Sequence, residues 1–401
     1  MDQADLVTLR APDVSVLLLT ATRDFFDIRG CWDVFREAKR MYGALGHAER
    51  VDLFEYNDTH GFSKPRREAA VRWMRRWLLR TDDAPTEGDI PVAPDRDLLC
   101  TASGQVLKEF KGKSVFDLNA QDERDLAAAR AARVASWTRD DFLREVRKAI
   151  RLPDRIEPAK RTETGTVMRE SGTITKLLFD TEPGIRLPGL FFTPKESDPS
   201  RPWVVLVAGE GKAKRSFEKL AESGRSVLAI DLRGMGELTP PPVSWARTCG
   251  DLHEALLGLY LDRPLLGQRV VDLLSVLEQA APSSPAGFRL VATGLAGPIA
   301  LHAAALDPRV IELSVEGSIV SWAGVVRTPM NFDQLTNVVP AVLKVYDLPD
   351  LAAALAPRPL TVRSPVYPLA KPIPPEDVQE AFGKVKAAYT RLGAENRLIL
   401  R

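Results

Sequence analysis

The chain is 401 residues long, enough for two domains or one large one. Hydrophobic residues make up 45% and charged residues 27%, the balance of an ordinary soluble globular protein. A net charge of +1 excludes a general attraction to nucleic acid or anionic lipid, and no apolar run of about 18 residues is present to span a membrane.

The opening residues, MDQADLVTLRAPD, carry no signal peptide, which by itself points to a cytosolic protein. VSVLLLTAT (14–22) is a continuous apolar run of the kind buried on both faces of a parallel sheet. WDVFREAKRMYGAL (32–45) has helical spacing and ends at Gly46, a C-cap. RVDLFEYND (50–58) reads as the next strand. PRREAAVRWMRRWLLR (65–80) reads as a helix with Pro65 in its first turn and Ser63 as N-cap. Its basic cluster, Arg66, Arg67, Arg72, Arg75 and Arg76, alternates with Trp73, Trp77 and Leu78 and reads as a solvated face. Two strands and two helices bury too little to make a domain alone.

Residues 81–97, rich in Pro, Asp and Gly, read as a linker. LLCTASGQVLKEF predicts a hairpin around Ser103-Gly104, followed by helices over about 120–136 and 139–151. Residues 165–195 predict antiparallel strands with turns at Ser171-Gly172 and Pro183-Gly184. From residue 203 strands and helices alternate: WVVLVAGEG, helical KRSFEKLAESG, RSVLAIDLRGMGE, a long helix near 265–280, FRLVATG, PIALHAAAL and IELSVEG. LAPRPLTVRSPVYP and a helix around 377–392 close the chain. That alternation predicts a doubly wound α/β fold with a mostly parallel sheet. Cys31, Cys100 and Cys249 lie far apart without a CxxC pair, which excludes a dense disulfide framework and a thiolate zinc site.

The two ends of the chain parallel each other. LRAPDVSVLLLTATRD (9–24) matches LAPRPLTVRSPVYP (355–368), and FREAKRMYGALGHAERVDL (35–53) matches FGKVKAAYTRLGAENRLIL (382–400). A repeat period near the length of a whole α/β domain is too long for a solenoid and predicts two tandem copies of one domain. The expected layout is the C-terminal part of a first copy over 1–80, a linker with hairpin and helices over 81–164, and a second copy over 165–401.

LLLTATRDFFDIRG, YNDTHGFSKPRREAAVRWMRRWL, LAIDLRGMGE and ATGLAGPIALHAAALDPRV together resemble the α/β-hydrolase superfamily. They are most similar to bacterial esterases related to acetyl xylan esterases, in a version with two tandem domains. In that fold a serine sits on a G-x-S-x-G elbow, an acid follows a later strand, and a histidine follows the last one. The resemblance assigns Asp24 to the acid and His60 to the base, the carboxylate orienting the imidazole that takes the hydroxyl proton. Taken singly, Asp24 is as well read as a helix cap and His60 as a turn residue. Together, at successive strand ends in family order, they favour the triad reading. His47, His253 and His302 read as surface or packing residues.

The nucleophile is another matter. Setting ATGLAGPIAL on the family's elbow puts Gly294 where serine belongs, and no serine in the chain has a G-x-S-x-G context. SPVYP puts Tyr367 near the second copy's acid position. The second copy therefore reads as degenerate, and the first keeps acid and base without a nucleophile. AGEGKAKR (208–215) lacks the phosphate-loop pattern because Ala213 follows Lys212, and is better read as the oxyanion-hole loop. DLRGMGE (231–237) reads either as a fragment of a dinucleotide fingerprint or as the loop that follows an early hydrolase strand, where glycines permit a tight turn near the site.

The resemblance implies hydrolysis of a carboxylic ester, the expected substrate being an acetyl ester on a plant polysaccharide, with no metal or organic cofactor. It implies a partial chain of a longer, exported parent, which undercuts the cytosolic expectation. The incomplete N-terminal sheet predicts self-association. Two alternatives stand beside this: a non-catalytic binding or scaffolding module, and a circular permutation in which strands 14–22 and 50–58 complete the second sheet.

Overall fold

The computed structural model describes residues 2–214, 220–221, 224–241, 252–331 and 333–401. Helical KRSFEKLAESG and Cys249 lie largely or wholly outside them. The chain divides into two compact units, Met1–Glu109 and Phe110–Arg401.

The first unit is built on two parallel strands, β1 (Val16–Arg23) and β2 (Val51–Thr59), paired from Val16 opposite Val51 onward. Helix α1 (Gln3–Thr8) precedes them, α2 (Ile28–Ala44) connects them, and α3 (Lys64–Met74) follows. Asp27 caps α2 by accepting from Arg29 N–H at 3.1 Å, so this helix starts earlier than its apolar spacing indicates. The core is small, with Ala38, Tyr42 and Val51 at its centre. Ser63 occupies the α3 N-cap position but makes no backbone cap; its Oγ accepts from Arg66 Nε at 3.2 Å.

Residues 81–94 form no helix or strand but lie against α3 through paired charges. Arg67 makes a bidentate pair with Glu87 (2.6 Å each) and Arg75 one with Asp83 (2.6 Å each). The basic face of α3 is thus an anchor for an acidic strap rather than a freely solvated surface. The hairpin expected around Ser103-Gly104 is absent, replaced by a turn and the short helix α4 (Val106–Phe110). Glu109 there accepts from Ser103 N–H at 2.6 Å, closing a helical turn where alternation suggested a strand.

The second unit holds a nine-stranded sheet. Its strands are β3 (Lys160–Met168), β4 (Gly172–Glu182), β5 (Ile185–Pro194), β6 (Trp203–Ala208), β7 (Val227–Ile230), β8 (Phe288–Thr293), β9 (Val310–Glu316), β10 (Leu360–Arg363) and β11 (Leu398–Leu400). The spatial order is β11-β10-β9-β8-β6-β7-β5-β4-β3. Strands β11 through β7 in that order run parallel, and β5, β4 and β3 are joined antiparallel. This is an α/β-hydrolase-type sheet. Strands β1 and β2 pair with each other in a two-stranded sheet.

Helices α5 (Val115–Ser136), α6 (Arg139–Ala149), α7 (Leu252–Tyr260), α8 (Leu265–Ala280), α9 (Ala296–Leu306), α10 (Trp322–Val326), α11 (Leu348–Ala353), α12 (Pro375–Ala381) and α13 (Gly383–Arg391) surround it. The segment read as a linker over 81–164 is divided, because α5, α6 and β3 belong to the second unit. Buried Glu123 of α5 pairs with Arg130 at 3.0 Å and also with Arg327, while Arg130 donates to Leu343 O at 2.9 Å. Helix α8 is buried on nearly every side, and a Cβ on Gly267 would fall 1.9 Å from Ile150 O. Gly267→Ala is therefore expected to cost about 3 kcal/mol by overpacking against backbone. Urea unfolding checks this; a loss below about 1 kcal/mol would show that α8 shifts freely.

The two units share a substructure. In each, a helix leads through a left-handed glycine (Gly46, φ +79°; Gly393, φ +61°) and a short helical turn (Ala48–Arg50; Glu395–Arg397) into a parallel strand. Tyr42 donates its hydroxyl to Val14 O at 2.8 Å, and Tyr389 donates to Arg358 O at 2.6 Å. Arg50 donates to Pro12 O at 2.9 Å, and Arg397 to Pro357 O at 3.3 Å. Leu360 faces Leu398 across β10 and β11 as Val16 faces Val51.

Candidate active site

Because β1 and β2 are parallel and adjacent, the residues just beyond their carboxyl ends emerge on one edge. Asp24 follows β1 and His60 follows β2, and the structure brings the two together. His60 Nδ1 lies 3.1 Å from both Asp24 Oδ1 and Oδ2. A carboxylate accepts only, so Nδ1 carries the proton and Nε2 is left as the basic nitrogen. Burial raises the Asp24 carboxyl, but Phe26 N–H (3.2 Å from Oδ1) and the His60 ring more than offset it, leaving it below the usual carboxylate range.

Arg66 fixes the turn that carries His60. Its guanidinium is 3% exposed and donates to Thr59 O at 3.0 Å and to Asp58 Oδ2 at 3.2 Å. Phe25 stacks at 4.5 Å from the His60 ring, and Phe25, Phe26 and Phe62 are exposed around it. Neither Arg66 nor the phenylalanines were marked by the sequence; Arg66 is hidden within a run of arginines whose partners are set only in three dimensions. Among the described residues no hydroxyl bonds His60, whose side chain is 62% exposed. At Cys31, burial and then the Asp24 and Asp27 carboxylates push the thiol up, which disfavours the thiolate.

The second unit has the elbow. Strand β8 ends at Thr293, Gly294 turns at φ +55°, and α9 begins at Ala296. Gly294 N–H donates to Glu316 O at 2.9 Å. The flanking glycines are sterically required: a Cβ on Gly297 would fall 2.1 Å from Ser318 Oγ, and one on Gly209 2.7 Å from Leu295 N. At Gly294 itself a Cβ would meet nothing within 4 Å. The loop after β6 therefore packs against the elbow backbone, and Glu210 accepts from Thr293 Oγ1 at 2.8 Å.

Lys212 in that loop does not face a ligand. It is 1% exposed, with Nζ 2.7 Å from Asp231 Oδ2 and also bonded to Glu237, while its N–H donates to Asp231 Oδ1 at 2.7 Å. A Cβ on Gly236 would strike the Asp231 carboxylate at 2.3 Å. The glycines of DLRGMGE thus make room for a buried ion pair. Tyr367 is exposed and donates its hydroxyl to Asp377. His302 is buried among aromatic residues and His253 is exposed. Among the described residues no three His, Cys, Asp or Glu side chains cluster to hold a metal, and no helix is long and apolar enough to cross a membrane.

No family model and no curated protein matches the chain. Solved structures do. A putative acetyl xylan esterase from Bacteroides fragilis superposes with a TM-score of 0.55 at 14% identity, covering 73% of this chain and 83% of that one. An acetyl xylan esterase from Paenibacillus sp. R4 gives a TM-score of 0.43 at 16% identity, covering 74% and 91%. Acetyl xylan esterase 1 from Thermoanaerobacterium sp. JW/SL YS485 gives 0.43 at 15%, covering 66% and 84%. The structural neighbours are carboxylic-ester hydrolases, and the chain has an α/β-hydrolase-type fold.

Proposed function

We propose that this chain is a carboxylic-ester hydrolase relative of the acetyl xylan esterase kind, organised as parts of two tandem hydrolase domains, and without turnover on its own. The observation that carries this reading is Gly294: the strand-to-helix elbow is intact and has no side chain to attack a carbonyl. The shared tyrosine and arginine bonds of the two units support the tandem organisation. Asp24 and His60 would be the acid and base of the first domain, acting on a small-molecule or polysaccharide ester once a hydroxyl reaches Nε2. The second unit would serve as a binding or scaffolding module.

The purified chain is expected to show neither burst nor turnover of p-nitrophenyl acetate above background. Gly294→Ser alone is expected to stay inactive, because the second unit offers the new hydroxyl neither acid nor base. Turnover by the unmodified chain that disappears in His60→Ala would overturn the reading.

A further inference from the structure

Helix α3 ends in one π-helical turn, Arg75–Leu79, which Arg80 closes in the left-handed region at φ +54°. Glycine usually takes that closing position, and π turns are frequent at functional sites. The turn borders a groove of about 960 Å³ beside the amino-terminal half of β1, with Leu17, Leu19, Trp73 and Leu78 among its apolar lining. Arg76, Trp77 and Arg80 line the same groove, as does Arg50 from just before β2. Two guanidiniums flank the Trp77 indole, with Arg50 Cζ at 5.7 Å and Arg76 Cζ at 5.4 Å from its ring. The indole Nε1–H is buried and meets no acceptor among the described residues, a state that is costly until an acceptor arrives.

Charge points the same way. Along α3 and its last turn, Arg66 takes a carboxylate from Asp58 (3.2 Å), Arg67 from Glu87 (2.6 Å), Arg72 from Asp82 (3.5 Å) and Arg75 from Asp83 (2.6 Å). The acidic strap thus neutralises the arginines outside the groove. Arg76 and Arg80, both exposed, take no carboxylate among the described residues. Asp13 is the one acidic side chain among the groove's described lining residues, against three guanidiniums, of which Arg50 has Glu49 at 4.0 Å. An apolar floor ending in unneutralised guanidiniums and a spare N–H donor suits a ligand with an alkyl body and a single acidic head.

We propose that this groove binds a small anionic amphiphile, a medium-chain carboxylate. Its head accepts from Arg76, Arg80 and Trp77 Nε1, and its chain lies along Leu17 and Leu19. The groove shares no residue with Asp24 and His60, which stand beyond the carboxyl ends of β1 and β2, so this site does not depend on the esterase reading.

The test is calorimetric titration of the full chain with decanoate below its micellar concentration. One decanoate per chain is expected to bind saturably, while acetate and decyltrimethylammonium give no binding heat. Arg76→Gln with Arg80→Gln, at exposed positions, is expected to raise Kd about tenfold and leave the urea midpoint in place. Trp77→Phe keeps a ring and removes the donor, and is expected to raise Kd about threefold. Added salt is expected to weaken binding to the unmodified chain, and decanoate to slow hydrogen exchange over residues 73–80. Absence of saturable binding, equal affinity for decyltrimethylammonium, an unchanged Kd in the double variant, or exchange protection elsewhere would overturn the proposal. So would capture of the chain by phosphatidylglycerol vesicles without decanoate binding, because the arginines would then serve a membrane surface.

Discussion

Lys212→Met is expected to destabilise the second unit by about 3–5 kcal/mol, because removing one partner leaves a carboxylate charge buried without its counter-ion. Asp231 is 1% exposed and accepts from the Lys212 ammonium and from two backbone N–H groups, those of Lys212 (2.7 Å) and Glu237 (3.0 Å). The two backbone donors survive the substitution, which places the loss toward the lower end of that range. A double variant, Lys212→Met with Asp231→Leu, is expected to recover much of the loss, since neither charge then remains to be buried. Thermal and urea unfolding of these two variants and of Asp231→Leu alone closes the cycle. If the single substitution costs under about 1 kcal/mol, or the double is no better than the single, the pair is not what secures these loops.

Acidification from pH 7 to 4 is expected to weaken the second unit through His302. Its Nδ1 lies 2.6 Å from Pro298 O and its Nε2 2.7 Å from the Tyr346 hydroxyl. A carbonyl only accepts, so Nδ1 is protonated and Nε2 accepts from tyrosine, which describes a neutral ring. Burial pushes its pKa down to about 4, against a backbone hydrogen bond that raises it. A folded value below the unfolded one means stability is fully present above about pH 6.5 and is lost as pH falls toward 4. The full effect is on the order of 3 kcal/mol. Because carboxylates titrate in the same range, the measure is the difference between wild type and His302→Gln. The variant is expected to be less stable at pH 7 and to have a flatter pH profile. Parallel profiles would show that the folded imidazole titrates no differently from the unfolded one, and that burial does not lower its pKa.

Much of the fold was legible because buried parallel strands are written as largely apolar runs. WVVLVA and FRLVAT each mark a central strand, IELSVE marks another by alternating apolar with polar residues, and β4 with β5 is marked by turn residues. The misreadings occur where a side chain overrides pattern, as Glu109 does in closing a helical turn on Ser103. The attachment of α5 was not legible either, since Glu123 meets Arg327 only after some 200 residues of intervening chain have folded. At the site, Asp24 and His60 could be found because strand order dictates their meeting. Arg66 and the Lys212–Asp231 pair could not, because one arginine or lysine in a polar stretch looks like any other until its partner arrives.

The glycines at 209 and 297 are held in place by packing: one admits the loop after β6 against the elbow backbone, the other admits Ser318 against α9. Pressure to remain folded is therefore enough to preserve this corner through many generations, whether or not any bond is ever cleaved there. Backbone likeness to a solved esterase structure thus reports a shared fold and mechanical soundness, and the chemistry has to be read from the side chains at the site.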